Sequence, residues 1–187
     1  MRCVAFPAKI PAMATEDLKL HIGGQQPLPG WKIFDVKPGS GVDYVGDCTD
    51  LSRSAGGSVT EIYASHVLEH LAYVDRLPRA LAEFHRVLAA EGRLLVSVPD
   101  FEVLCRLFLD PRRSSRERFM LMRMAFGGQQ DPHDFHCVGL TFEFLREYLA
   151  AAGFSEVARV EEFDLVEDSS AQRFDGTLIS LNLIAFK

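Results

Sequence analysis

Two clusters of residues in this chain of 187 could do chemistry. The first is Tyr63-Ala64-Ser65-His66-Val67-Leu68-Glu69-His70-Leu71. As a bare string, His66 to His70 spells H-x-x-E-H, the ligand order of one class of zinc metalloproteases. That chemistry needs all three residues on one helix and a further carboxylate ligand downstream. With its flanks, the same stretch is the turn after a buried strand, where an α/β fold places a small-molecule site. The second cluster is Asp131-Pro132-His133-Asp134-Phe135-His136, ahead of a helix, where a loop can close as a lid. Its His133-x-x-His136 spacing also suits a metal, or a structural loop whose imidazoles bond to backbone. A third group, Arg112, Arg113, Arg116 and Arg118, reads as a solvated helix start or as a site for a phosphate-bearing ligand.

The elements that must position these residues alternate. Apolar runs predict strands over residues 18–22, 31–36, 42–45, 59–64, 94–98, 154–163 and 178–186. Leu77, Leu81, Phe84, Val87 and Leu88 recur at helical spacing and predict a helix over 76–90, stopped by Glu91-Gly92 with the glycine in the left-handed cap. Further helices are expected over 101–109, 115–126 and 141–152, the last capped by Thr141 and ended by Gly153. The Leu/Phe/Met stripe over 119–124 is core or the underside of a lid. Residues 51–58 read as a loop or weak helix, 127–139 as a long polar loop, and 164–176 as a mobile acidic hairpin. Alternation of this kind gives an α/β fold with a mostly parallel sheet and an antiparallel last strand. In such sheets the ligand lies at the carboxyl ends of the strands. That edge gathers Gly23, Gly24, Asp35, Asp47, Ser65, His66 and Pro99.

Only residues 24–30 separate the first two strands. A parallel crossover carrying a helix takes about 10–12 residues or more, so this one has room to return along the sheet only without its helix. One domain is expected over 18–187, with residues 101–139 as an acceptor and lid insertion. Residues 1–17 form a leader or an added edge segment. A net charge of −6 argues against nonspecific nucleic-acid binding, and no apolar run is long enough for a membrane span. Cys3, Cys48, Cys105 and Cys137 are scattered without a C-x-x-C, as in a cytoplasmic protein with reduced thiols.

The order and spacing of 18–24, 30–36, 62–71, 86–88, 92–100 and 152–154 resemble the small class I S-adenosylmethionine-dependent methyltransferases, of the type 11 group met in bacteria. The resemblance implies a Rossmann-like fold with S-adenosylmethionine as cofactor. Gly23 and Gly24, with His21 beside them, would let backbone approach the cofactor's amino-acid end. Asp35, next to Val36, would accept from the ribose hydroxyls. Asp47 and Cys48 would border the adenine. Ala64, Ser65 and His66 would lie beside the methionine part and the reactive methyl. His66, His133 and His136 are the candidate general bases for a hydroxyl acceptor. Gln25, where the family has a small residue, and the missing helix imply weaker or more exposed cofactor binding. The activity expected is methyl transfer to a small-molecule acceptor, first a sugar or another polysaccharide-pathway intermediate, by a monomer or homodimer. The alternative is a non-catalytic methyltransferase-like binding or accessory protein. Zinc hydrolysis through His66, Glu69 and His70 is a remote one, and no metal is otherwise expected.

Overall fold

The computed structural model describes residues 17–187. The expected leader falls, but for Asp17, outside the described residues. Four strands come first: β1 Leu18–Ile22, β2 Trp31–Asp35, β3 Tyr44–Val45 and β4 Val59–Ser65. A 3-10 turn, Leu68–His70, precedes helix α1, Arg76–Val87. Then come β5 Leu88–Pro99, α2 Phe101–Leu109, α3 Ser115–Phe126, α4 Phe142–Ala151 and β6 Glu156–Val160. A second 3-10 turn, Ser169–Ala171, leads through a small hairpin, β7 Arg173–Phe174 and β8 Thr177–Leu178, into β9 Ser180–Phe186.

Seven of these strands form one sheet in the order β3-β2-β1-β4-β5-β9-β6. β3, β2, β1, β4 and β5 are mutually parallel, and β9 runs antiparallel to both β5 and β6. No helix joins β1 to β2, as the seven-residue spacing requires. Gly23 (φ 72°) and Gly30 (φ 82°) turn the chain at the two ends of this connection. Gly23 N donates to Phe34 O at 2.9 Å, so the turn is stitched to β2.

Leu20, Ile62, Leu94 and Ala185 stand level across four strands and share one face. That face is covered by α1, through Leu77, Ala80, Leu81 and Phe84, and by α4, through Leu145 and Leu149. Pro78 sits in the first turn of α1, where a missing N–H leaves no hydrogen bond unmade. Each fully buried apolar side chain here contributes about 1.5–3 kcal/mol. The opposite face carries His21, Tyr63, Leu95 and Ile184 in the next register. It has no helix of its own from the β1–β2 connection. Instead Tyr63 packs against His21, Trp31 and Phe163, with ring centroids 5.0, 6.4 and 5.5 Å away. Beside them Glu61 pairs with Lys19 and, at 2.7 Å, with Arg93.

Three expectations are corrected. Helix α1 stops at Val87, three residues early, because Leu88 already pairs with Val59 as strand. The left-handed residue is Glu91 (φ 64°), not Gly92, and β5 runs through both. Gly92 is needed for space, since a Cβ there would lie 2.8 Å from Ala89 O. Residues 164–176 form a docked segment. Tyr63 Oη donates to Asp168 Oδ2 at 2.7 Å, and Asn182 Nδ2 donates to the carbonyls of Glu161 and Ser170. Two edge strands, β3 and β6, are also shorter than their apolar runs suggested.

Candidate active site

A cleft of about 750 Å3 opens at the carboxyl ends of β1, β2 and β4. Gly23 and Gly24 form its floor beside β1. Neither position has room for a side chain. A Cβ on Gly23 would meet Val67 Cγ2 at 2.5 Å, and one on Gly24 would meet His21 Nδ1 at 2.5 Å. Backbone is therefore exposed to whatever the cleft holds. Asp35 ends β2 with Oδ1 accepting from Lys37 N at 2.6 Å, which fixes the carboxylate and leaves Oδ2 to accept. Asp47 Oδ1 accepts from Thr49 N and Oγ1, and its Oδ2 pairs with Arg76 at 2.6 Å. Burial pushes the Asp47 carboxyl up, but Thr49 and Arg76 outweigh it and hold it below the ordinary range. Cys48 is buried beside it, its thiol pushed up to about 12 by burial and the Asp47 charge, so it is a wall and not a nucleophile.

A second cavity, about 300 Å3, lies on the far side of the β4 tip. Pro99, Leu104, Met120, Met124 and Ile179 give it apolar walls, while Arg123, His136 and Gln172 give it polar ones. His66 lines both spaces. It stands at the end of β4 with φ 54°, a left-handed backbone that a residue with a Cβ rarely adopts. Strain of this kind costs about 1–3 kcal/mol and persists where surroundings over-determine it. Here His66 N donates to Ser97 O at 2.9 Å. The ring is also placed by a neighbour at each nitrogen. Ser180 Oγ gives its one proton to Ser169 O, so at 3.3 Å it must accept from His66 Nε2. Nδ1 lies 3.1 Å from Glu69 Oε1, at ion-pair distance. Burial pulls the His66 pKa down, but Glu69 outweighs it and raises the pKa above the ordinary value. Nε2 is therefore held by Ser180, while Nδ1 lies beside the Glu69 carboxylate without a hydrogen bond to it.

The H-x-x-E-H string is thus not a helical metal motif. His66 is in a left-handed turn, and only Leu68–His70 are helical, as a single 3-10 turn. Glu69 points inward, with 1% of its surface exposed. Burial raises its pKa, and His66, His70 and His136 more than compensate, so it is held as a carboxylate. His136 reaches this group because residues 127–139 fold over the turn. Cys137 N donates to Glu69 O at 2.7 Å and His136 N to Phe126 O at 3.2 Å. The loop is shaped by Asp134, whose carboxylate accepts from Gly128 N and Gln130 N. Gly127 (φ 83°) has no room for a side chain, since a Cβ would lie 2.3 Å from Asp134 O. Lys37, just after β2, pairs with Asp131 of the loop at 2.8 Å. The loop is therefore tied across the cleft mouth, with Pro132 and His133 on the cleft wall.

Of the expected site residues, the fold brings Gly23, Gly24, Asp35, Val36, Asp47, Cys48, His66 and His133 to the cleft. His136 goes to the second cavity. His21, Ala64 and Ser65 are not on the wall of either. His21 lies under Gly24 on the far face of the sheet, and Ser65 borders Asp168. The basic cluster does not form a phosphate site. Arg112 pairs with Asp110, Arg113 with Glu117 and Asp175, and Arg118 donates to Asp110 O. Reading the sequence missed Arg76, Lys37 and Arg123. Arg123 had a signal, being the only cation within the apolar stripe 119–124.

Residues 32–96 match the sequence profile of a family described as a methyltransferase domain. A search of the curated proteins finds no match. Among solved structures the chain is similar to a SAM-dependent methyltransferase from Archaeoglobus fulgidus, with TM-score 0.56 and 15% identity over 91% of this chain and 86% of that one. It is similar to a 1,6-didemethyltoxoflavin-N1-methyltransferase of Burkholderia thailandensis, solved with S-adenosylhomocysteine, with TM-score 0.56 and 16% identity over 91% of this chain and 70% of that one. The fold is that of the class I S-adenosylmethionine-dependent methyltransferases. Against a further match, from Nostoc punctiforme, the chain spans 52% of that chain's length, with TM-score 0.54 and 14% identity over 91% of its own. No helix lies between β1 and β2 in this chain. No helix among the described residues is long and apolar enough to cross a membrane.

The cleft fits S-adenosylmethionine. Two glycines whose Cβ positions are blocked offer bare backbone. Asp35 offers a fixed carboxylate with an oxygen to spare. Gln25, which follows the two glycines, lies on the cleft wall.

Proposed function

We propose that this chain transfers a methyl group from S-adenosylmethionine to a small-molecule acceptor carrying an anionic group. The observation that carries the reading is the meeting of two cavities at His66, one suited to a nucleoside and one of mixed polarity with a single guanidinium. When bound, S-adenosylmethionine supplies an electrophilic methyl on a sulfonium. Asp35 would take the ribose hydroxyls, and the Gly23-Gly24 backbone would lie along the amino-acid end. Arg123 has no ion-pair partner among the described residues and faces the second cavity, so it is free to hold a carboxylate or phosphate. Leu104, Met120 and Met124 would shed water from the acceptor, and the loop tied by Lys37 would close the cleft above it. Most of the acceleration is expected from holding the acceptor atom about 3 Å from the methyl carbon. His66, held between Ser180 and Glu69, forms the wall between the two spaces. A cavity of about 300 Å3 is at the small end for ligand sites and suits a monosaccharide-sized acceptor.

The test is release of S-adenosylhomocysteine from a panel of sugar acids, phosphosugars and their neutral counterparts. Turnover is expected with an anionic acceptor. Arg123→Ala should raise KM for it by about tenfold to a hundredfold, the loss of a charge-assisted pair, with kcat less affected. Turnover confined to neutral acceptors, or an unchanged KM in the variant, would contradict the anionic reading.

A further inference from the structure

The carboxylate of Glu69 is buried, and neither oxygen has a hydrogen-bond donor. The nearby His66 nitrogen is at ion-pair distance but off the line of a hydrogen bond. A buried carboxylate left in this state costs several kcal/mol unless a cation completes it. Two imidazoles converge on the same oxygens. One ligand atom each from Glu69, His70 and His136 lies within 4.8 Å of the others. The His70 and His136 rings meet edge to face at 4.8 Å between centroids. His70 Nδ1 donates to Phe135 O at 3.1 Å. A backbone carbonyl on one nitrogen is a common way to orient a metal-binding imidazole, leaving the other for the ion.

We propose that Glu69, His70 and His136 bind one divalent transition-metal cation. Two imidazoles and a carboxylate suit Zn2+, Mn2+ or Co2+, whereas Mg2+ and Ca2+ prefer oxygen alone. Ligand bonds of about 2.0–2.2 Å would bring the ligand atoms to roughly 3.3 Å apart, so the group closes by up to about 1.5 Å on loading. Three protein ligands leave a position open. His136 lines the second cavity and His70 the cleft, so the ion would sit between the two spaces, within reach of an acceptor. The site is not the hydrolase arrangement, in which Glu would be the base and the two histidines of the string the ligands. Here Glu69 is itself a ligand and His66 is its partner.

What the cation would do rests on the methyl-transfer reading. An acceptor hydroxyl bound at the open position loses its proton to solvent more readily. The oxygen–methyl bond then forms as the sulfur–methyl bond breaks, leaving S-adenosylhomocysteine.

The experiment is titration of the metal-stripped full chain with Co2+, followed by visible absorption, and with Zn2+, followed by calorimetry. The expected result is one ion per chain with the absorption of nitrogen-ligated Co2+. Glu69→Gln and His136→Ala should each weaken binding at least tenfold, and His133→Ala should leave it unchanged. His136 lies on a loop, so its variant keeps the test valid if Glu69→Gln does not fold. Absence of stoichiometric binding, or equal affinity in the wild type and both ligand variants, would overturn the site. Equal loss in His133→Ala would overturn it in favour of the His133-x-x-His136 pair. Binding of S-adenosylmethionine is measured separately on the metal-stripped chain. Cofactor binding without Co2+ binding refutes the metal site alone, and the converse refutes the methyl-transfer reading while the site stands.

Discussion

Gly24 and His21 share a space that has room for only one side chain. The glycine's missing Cβ lies 2.5 Å from His21 Nδ1, on a buried ring that lacks a hydrogen bond there. Gly24→Ala should therefore destabilise the fold by about 1–3 kcal/mol through overpacking. Urea denaturation checks this, and an unchanged midpoint would mean the ring moves aside freely. At this scale the sequence was half legible. Asp35 and the two glycines could be read because a polar or flexible residue directly after an apolar strand has little else to do. His21, Ala64 and Ser65 could not be placed by proximity to a strand tip alone. Side chains alternate along a strand, and His21 shares its face with Tyr63 and Leu95, away from the cleft. Glu69 sits in the turn after β4, but one of its neighbours, His136, comes from a loop sixty-odd residues on, which spacing does not reveal.

The loop of residues 127–139 is an element with no periodicity, yet it supplies both the lid and one of the three residues of the Glu69 cluster. Its position ahead of α4 was readable from the Asp/Pro/His composition before the Thr141 cap. Its landing place was not, because that depends on Cys137 N reaching Glu69 O and on Lys37 reaching Asp131. The Lys37–Asp131 pair is exposed and worth less than about 1 kcal/mol to global stability. Lys37→Ala is accordingly expected to leave the melting temperature nearly unchanged while amides of Gln129, His133 and Asp134 exchange faster. Those amides are bonded within the loop, to Asp134 O, Asp131 Oδ1 and Asp131 O. Hydrogen exchange by mass spectrometry reads the difference, and identical exchange would show that the loop holds itself without the tie. The helix α1 illustrates the opposite limit. Its apolar spacing ran on into Leu88, which also suits a strand, and pairing with β4 took precedence.

Over the whole molecule, the sheet is covered by helices on one face and by ion pairs, rings and a docked connection on the other. The alternation of apolar runs made the parallel sheet readable, and the short 24–30 link made the helix-free crossover a matter of chain length. The cover of the second face was not readable, because it depends on Tyr63 meeting Phe163 and Asp168 from a polar stretch. Glu61 anchors that face. Burial raises its pKa, but hydrogen bonds from Lys19 and Arg93 outweigh it and hold the carboxyl below its ordinary 4.5. A depressed folded pKa contributes stability above the unfolded value, lost as pH falls through the folded one. Glu61→Gln should thus lower stability at pH 7 by on the order of 1 kcal/mol and flatten its decline below about pH 4.5. Equal pH dependence in the two proteins would remove Glu61 from the acid response. The same architecture leaves the cofactor cleft without a helix N-terminus at β1, so the site leans on Asp35 and the glycine backbone.

The most direct test of the methyl-transfer account is calorimetric titration of the full chain with S-adenosylmethionine and S-adenosylhomocysteine, for the wild type and Asp35→Ala. The account predicts one site for both ligands and an affinity at least tenfold weaker in the variant, the loss of a charge-assisted bond to the ribose. No heat at millimolar ligand, or equal affinity in the two proteins, would contradict it.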